Sequence, residues 1–158
     1  MGEQRLKDLA RPEQVFQIVA EGLVSDFAPL ATLDSLPNNL PIQLTPFIGR
    51  ETEVAQVVEL LLRPEVRLLS LVGPGGIGKI RLGLQAAAEV VNRFENGVYY
   101  VALDAVTDAA LMIGTIGHEL GLQESGNQQI ADILKRYLKG KQILLVLDNF
   151  EQIIPAIC

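Results

Sequence analysis

The run Leu71-Val72-Gly73-Pro74-Gly75-Gly76-Ile77-Gly78-Lys79-Ile80 decides how this chain is read. Gly73, four further residues, Gly78 and Lys79 have the spacing of a phosphate-binding loop. An apolar strand-like run precedes them and a helix-like stretch follows, the context that separates such a loop from a chance match. Glycines let the backbone turn its N–H groups toward an anion, the helix start adds partial positive charge, and Lys79 supplies a full, mobile one. Gly73, Pro74, Gly75, Gly76, Ile77, Gly78, Lys79 and Ile80 are therefore candidate nucleotide-binding residues, with a β-phosphate as the natural ligand and Lys79 also a candidate catalytic group. Ile80 stands where Ser or Thr would give a hydroxyl to Mg²⁺. Its backbone N–H can still reach phosphate, so nucleotide binding is expected to survive, the Mg²⁺ site to be weakened, and hydrolysis to be weak or absent.

Working outward, Val54, Val57, Val58, Leu61 and Leu62 recur at helical spacing from Glu51 and stop at Pro64. Arg67 to Val72 reads as a central parallel strand, apolar on both faces. A helix is expected from about 78 to 93 and a strand over 97–103. A further helix covers roughly 108–120, capped by Thr107 or Asp108 and stopped by Gly121. Another runs over about 128–139 and ends at Gly140, and a buried strand follows at 142–147. Strands alternating with helices imply an α/β, three-layer P-loop NTPase sandwich with a parallel sheet and right-handed crossovers.

That last strand, Leu144-Leu145-Val146-Leu147, delivers Asp148 at its C-terminal end, the form of a Walker B carboxylate. Asp148 is the candidate metal ligand and, with Lys79, the candidate catalytic pair. Asn149 follows where many ATPases place an acid; an amide can orient water but cannot take its proton. Glu151 reads as a surface residue that could compensate. His118, the one histidine, lacks companions at metal-ligand spacing and reads as structural or surface. Asp104 carries no assigned role.

Upstream, residues 5–19 suggest two short strands around a turn at Arg11-Pro12-Glu13. Residues 24–46, with Pro29, Pro37, Pro41, Pro46 and Asn38-Asn39, read as an extended linker. The 158 residues fit one domain with an appendage, and 49% hydrophobic residues supply a core. A net charge of −6 without basic clusters argues against direct nucleic-acid contact. One cysteine, Cys158, excludes an internal disulfide and a cysteine zinc site. No apolar run approaches the ~18 residues a membrane span needs. The cytoplasm is the expected compartment.

Phe47-Ile48-Gly49-Arg50-Glu51, then the loop, then Leu145-Val146-Leu147-Asp148-Asn149-Phe150-Glu151, taken in that order, resemble the STAND group of signal-transduction ATPases. The nearest likeness is to the NB-ARC-like ATPase domains of large bacterial transcriptional regulators and cyclase-linked regulators, over about residues 46 to 158. The resemblance implies that Ile48, Gly49 and Arg50 lie near the nucleotide base. It also implies a later strand, beyond Cys158, between the loop strand and the Walker B strand, so the sheet is expected to be incomplete at the C-terminus. The sensor residue, the ARC-like and winged-helix parts and any effector domain would likewise lie outside this chain, which reads as a fragment. Residues 1–23 resemble the tail of class III adenylate or guanylate cyclase domains without their metal-binding aspartates, so cyclase activity is not expected. The implied organisation is a cyclase-tail-like hairpin at 1–23, a linker at 24–46 and a partial NB-ARC/AAA-like ATPase domain at 47–158. Implied partners are the nucleotide, the missing domains and self-association, with no membrane. Three functional readings result: a nucleotide-binding switch module with ATP or ADP as ligand, a degenerate non-catalytic interaction module, or a truncated fragment without autonomous activity.

Overall fold

Period-two side-chain alternation on two neighbouring strands sets out the layers of the molecule. The computed structural model describes residues 2–4, 13–20, 22–23, 36–124 and 128–153. Strands β1 (Gly2–Gln4) and β2 (Glu13–Val15) pair antiparallel, Gly2 opposite Val15. There follow α1 (Glu51–Leu61), α2 (Lys79–Glu89), β3 (Val98–Ala102), α3 (Ala109–Glu119), α4 (Ile130–Leu138) and β4 (Leu144–Asp148). Short 3-10 turns lie at Val91–Arg93 and Phe150–Gln152. β3 and β4 run parallel, with Val98 opposite Leu144 and Ala102 opposite Asp148.

Because successive side chains point to opposite faces, Val98, Tyr100, Leu144 and Val146 join Leu84, Ala87 and Val91 on the α2 side. Tyr99, Val101, Leu145 and Leu147 join Ile116, Leu120 and Leu134 on the side of α3 and α4. The result is an α/β arrangement with helices on both faces of a parallel sheet. Val98, Val101 and Leu103 are completely buried, and burial of each such side chain is worth about 1.5–3 kcal/mol. A third cluster joins Val54 and Val57 of α1 to Leu82 and Ala86 of α2, with Leu69 and Leu71 packed against it.

Local signals set the helix ends. The Asp108 carboxylate, not Thr107, caps α3 by accepting from the Leu111 N–H at 2.9 Å, a contact worth about 1 kcal/mol. Gly121 and Gly140, at φ of 70° and 75°, turn the chain out of α3 and α4. The helix expected over 78–93 closes at Glu89 and continues as the Val91–Arg93 turn.

The strand expected over Arg67 to Val72 is absent: residues 66–72 form no regular element. Leu69 and Leu71 pack inward, whereas Leu68 and Val72 are 82% and 91% exposed. The alternation of a strand is therefore present, but a strand also needs a ladder partner. Among the described residues the sheet of β3 and β4 holds these two strands, and it is incomplete. At the N-terminus, β1 begins earlier than expected, and Glu13 opens β2 instead of closing the turn. Arg11, Pro12, Pro29 and Cys158 lie outside the described residues.

Residues 36–40, within the proline-rich stretch, are laid along the outer edge of β3. Asn38 bridges Val98 in parallel fashion, the Val98 N–H donates to the Pro37 carbonyl at 3.1 Å, and Leu40 is buried. The Asn39 side chain then substitutes for a strand neighbour. Its Oδ1 accepts from the Tyr100 N–H at 2.6 Å, and its Nδ2 donates to the Tyr100 carbonyl at 3.0 Å and to Glu119 at 2.6 Å. Gly97, at φ 105°, permits this approach, since a Cβ there would lie 2.4 Å from the Pro37 oxygen.

Candidate nucleotide site

The chain leaves the irregular segment 66–72, turns through Gly73–Gly78 and enters α2 at Lys79. Gly76 and Gly78 have φ of 76° and 81°, a region L side chains rarely enter. Gly73 serves close approach instead: a Cβ there would fall 2.7 Å from Ile77 Cδ1. Among the described residues, no acceptor pairs with the backbone N–H groups of Gly75, Gly76, Ile77 or Gly78. Unpaired donors at a helix start form a ready anion site. Lys79 Nζ donates to the carbonyls of Gly73 and Pro74, at 3.0 and 3.1 Å, so its ammonium lies folded over the loop. A phosphate group fits this donor set. Ile80, by contrast, is half-buried and packs with the cluster of Leu84, Val91 and Val98.

Beside the loop lies an open recess of about 150 Å³ lined by Phe47, Ile48, Arg50, Ile77, Gly78 and Arg81. This volume is below the ~300 Å³ of ordinary small-molecule pockets, so it suits part of a ligand whose remainder lies on the loop. Gly49 and Arg50 adopt consecutive left-handed conformations, φ 75° and 63°, immediately before α1. For arginine this costs about 1–2 kcal/mol, and three hydrogen bonds hold it. Gly49 N–H donates to Glu51 at 3.0 Å, Arg50 Nε to Glu53 at 3.1 Å, and Arg50 Nη1 to the Ile77 carbonyl at 3.0 Å. A backbone hydrogen bond, then its bond to Arg50, holds the Glu53 carboxyl below the usual range. Ile48 is 86% exposed at the rim.

At the end of β4 the polar atoms are already engaged. Asp148 Oδ2 accepts from the Tyr100 hydroxyl at 3.1 Å, and Oδ1 accepts from the Asn149 N–H at 3.0 Å. Tyr100 and Asp148 are diagonal neighbours on one face of the sheet, because Tyr100 is opposite Val146 and Ala102 opposite Asp148. Burial, reinforced by the Asp148 charge, raises the Tyr100 pKa and keeps the phenol protonated. Asn149 leaves the strand in the left-handed region, φ 59°, which asparagine tolerates. No group of three or more His, Cys, Asp or Glu side chains gathers among the described residues. Asp148 is thus a strand-end carboxylate whose two oxygens each keep a lone pair beside the hydrogen bond already made.

The structure therefore brings Ile48, Gly49 and Arg50 to the loop residues Gly73–Ile80 through the Arg50–Ile77 bond and the shared recess. Among the described residues, no hydrogen bond joins Asp148 to the loop; β4 and α2 are related through packing. His118 is a surface residue, its side chain 88% exposed. Three contributors escaped the sequence reading. Arg81 donates to the Thr45 and Pro46 carbonyls, both at 3.2 Å, and lies 6.0 Å from the Phe47 ring centroid. Its only sequence signal is its place two residues after Lys79. The others are Tyr100, visible only once the strand register is known, and Asn39.

The family model for the NB-ARC domain matches residues 50–153. An uncharacterized protein of Mycobacterium tuberculosis is 35% identical over 113 residues, 72% of this chain and 28% of that protein. A putative HTH-type transcriptional regulator of the same organism is 32% identical over 90 residues, 57% of this chain and 10% of the relative. The regulatory protein AfsR of Streptomyces griseus is 27% identical over 124 residues, 72% of this chain and 13% of the relative. The chain thus spans less than a third of the length of each of these relatives. No solved structure matches it significantly. No helix among the described residues is long and apolar enough to cross a membrane.

Proposed function

The chain belongs to the NB-ARC domain family, and from that membership we propose that it is the ATP- or ADP-binding module of a STAND-type regulator of signalling or transcription. One observation carries this reading: the N–H groups of Gly75 to Gly78, without acceptors among the described residues, lie just before α2 with Lys79 folded onto the loop. Gly73, Pro74, Gly75, Gly76, Ile77, Gly78, Lys79 and Ile80 hold the phosphates, while Ile48, Gly49 and Arg50 take the base side. Lys79 leaves its two carbonyl partners to meet the incoming phosphate charge. Asp148 is the one carboxylate for Mg²⁺, which when bound neutralises charge on the phosphate oxygens. With Ile80 turned into the core and Asn149 unable to act as a base, hydrolysis is weak or absent. Signalling then follows from which nucleotide is bound and how it biases domains outside residues 1–158.

The experiment is a titration with a fluorescent ADP analogue. Lys79→Ala removes charge-assisted hydrogen bonds, and affinity falls about 100-fold, the equivalent of about 3 kcal/mol. Equal affinity in the two proteins would sink the reading.

The packing of Ile80 supports a second reading, a degenerate module retained for its interaction surface. In that case adding the missing hydroxyl at position 80 restores nothing.

A further inference from the structure

Two arginines tie the base side to the phosphate side of the site, and they do so in opposite directions. Arg50 extends from the segment before α1 to a loop carbonyl, that of Ile77. Arg81 extends from the first turns of α2 back to two carbonyls of the preceding segment, Thr45 and Pro46, with its guanidinium near the Phe47 ring. All of the residues that line the recess are either in these ties or adjacent in sequence to residues in them.

From this geometry we propose that Arg81 is a positioning residue that builds the base half of a two-part site. It holds Thr45–Phe47 against α2, so that the wall carrying Phe47 and Ile48 stands beside the loop. The inference rests on the nucleotide-binding reading and deepens it by dividing the recognition between two sets of residues. The loop recognises a diphosphate through backbone N–H groups and Lys79, independently of Arg81. The recess recognises the heteroaromatic base, and its wall depends on Arg81.

The physical argument is one of restraint. Residues 41–48 form no helix or strand, and Ile42, Leu44 and Ile48 are 54%, 85% and 86% exposed, so Phe47, packed against the α1–α2 cluster, is the main apolar anchor of this segment. Side-chain donors also hold the wall's position. Both Arg81 bonds leave one nitrogen, Nη2, whose two hydrogens lie in the fixed guanidinium plane and so carry a direction that a freely rotating lysine ammonium lacks. Without these bonds, the segment must be ordered at the moment of binding, and that ordering lowers affinity.

The test is calorimetric titration of the whole chain with ADP and, separately, with inorganic pyrophosphate, in the unaltered protein, Arg81→Lys and Arg81→Gln. Both variants should bind ADP about five- to ten-fold more weakly, as expected for losing one or two hydrogen bonds. Pyrophosphate affinity should stay within about two-fold, because the unpaired N–H groups and Lys79 are untouched. Lys79→Ala provides the contrast and should weaken both ligands. If the Arg81 variants lose ADP and pyrophosphate affinity in parallel, the arginine acts on the phosphates or on the fold as a whole, and the proposal falls. Unchanged ADP affinity also overturns it. Failure of the unaltered chain to bind ADP would remove the nucleotide reading itself, whereas ADP binding with no Arg81 effect would remove only the division proposed here.

Discussion

The loop at the start of α2 and the strand end at Asp148 face the same chemical task with opposite states of their polar atoms. At the loop, four consecutive N–H groups lack acceptors among the described residues and Lys79 is held only by local carbonyls. At the strand end, each oxygen of Asp148 already accepts a hydrogen bond. Anion recognition needs free donors, and metal recognition needs free lone pairs and nearby oxygens. The loop thus presents donors without acceptors, whereas the Asp148 oxygens are oriented by hydrogen bonds that leave each of them a further lone pair.

The largest test of that difference supplies the missing oxygen. Ile80→Thr should make nucleotide binding depend on Mg²⁺ at about ten-fold lower concentration, within the range typical of changes around a metal site. Measured by the Mg²⁺ concentration giving half-maximal effect, an unchanged value would favour the interaction-module reading. The variant should also melt lower, since Ile80 contributes to a core cluster.

A smaller effect is expected from the opposite end. Tyr100→Phe removes the donor that fixes Asp148 Oδ2. Half-saturating Mg²⁺ should then rise about five-fold, the equivalent of one hydrogen bond near 1 kcal/mol, while binding in the presence of a chelator stays as it was. A change in chelator-treated affinity would show that Tyr100 acts on the fold and not through the carboxylate.

The smallest effect is on pH dependence. Burial, then the Asp148 charge, raises the Tyr100 pKa, so the neutral phenol is favoured in the folded state. The associated stability is complete below the ordinary tyrosine range, about pH 10, and is lost as pH rises through the higher folded value. Thermal melts taken upward from about pH 9 should decline, and Tyr100→Phe should decline less steeply. Equal slopes would show that the phenol is not selectively kept neutral.

The parts of this arrangement that were legible in the sequence are the local ones. Gly73, Gly78 and Lys79 carry their own spacing, Asp108 and Gly121 carry helix ends, and the aromatic and β-branched content of Val98–Ala102 and the apolar run Leu144–Leu147 anticipate buried strands. What escaped depends on residues far apart in the chain. Segment 66–72 has strand-like composition, but composition cannot supply a neighbour for its backbone. Tyr100 meets Asp148 only because the register sets them diagonally on one face. Arg81 crosses to carbonyls 35 and 36 residues earlier, and main-chain acceptors leave no trace in side-chain identity.

The amide of Asn39 has a consequence for how the sheet can be extended. By engaging the backbone N–H and carbonyl of Tyr100, with Pro37 and Asn38 occupying Val98, it blunts the outer margin of β3. An exposed strand margin is a template for further pairing, and here that template is denied on one side. Pairing of a further strand along Val98–Tyr100 is therefore opposed by groups already in place.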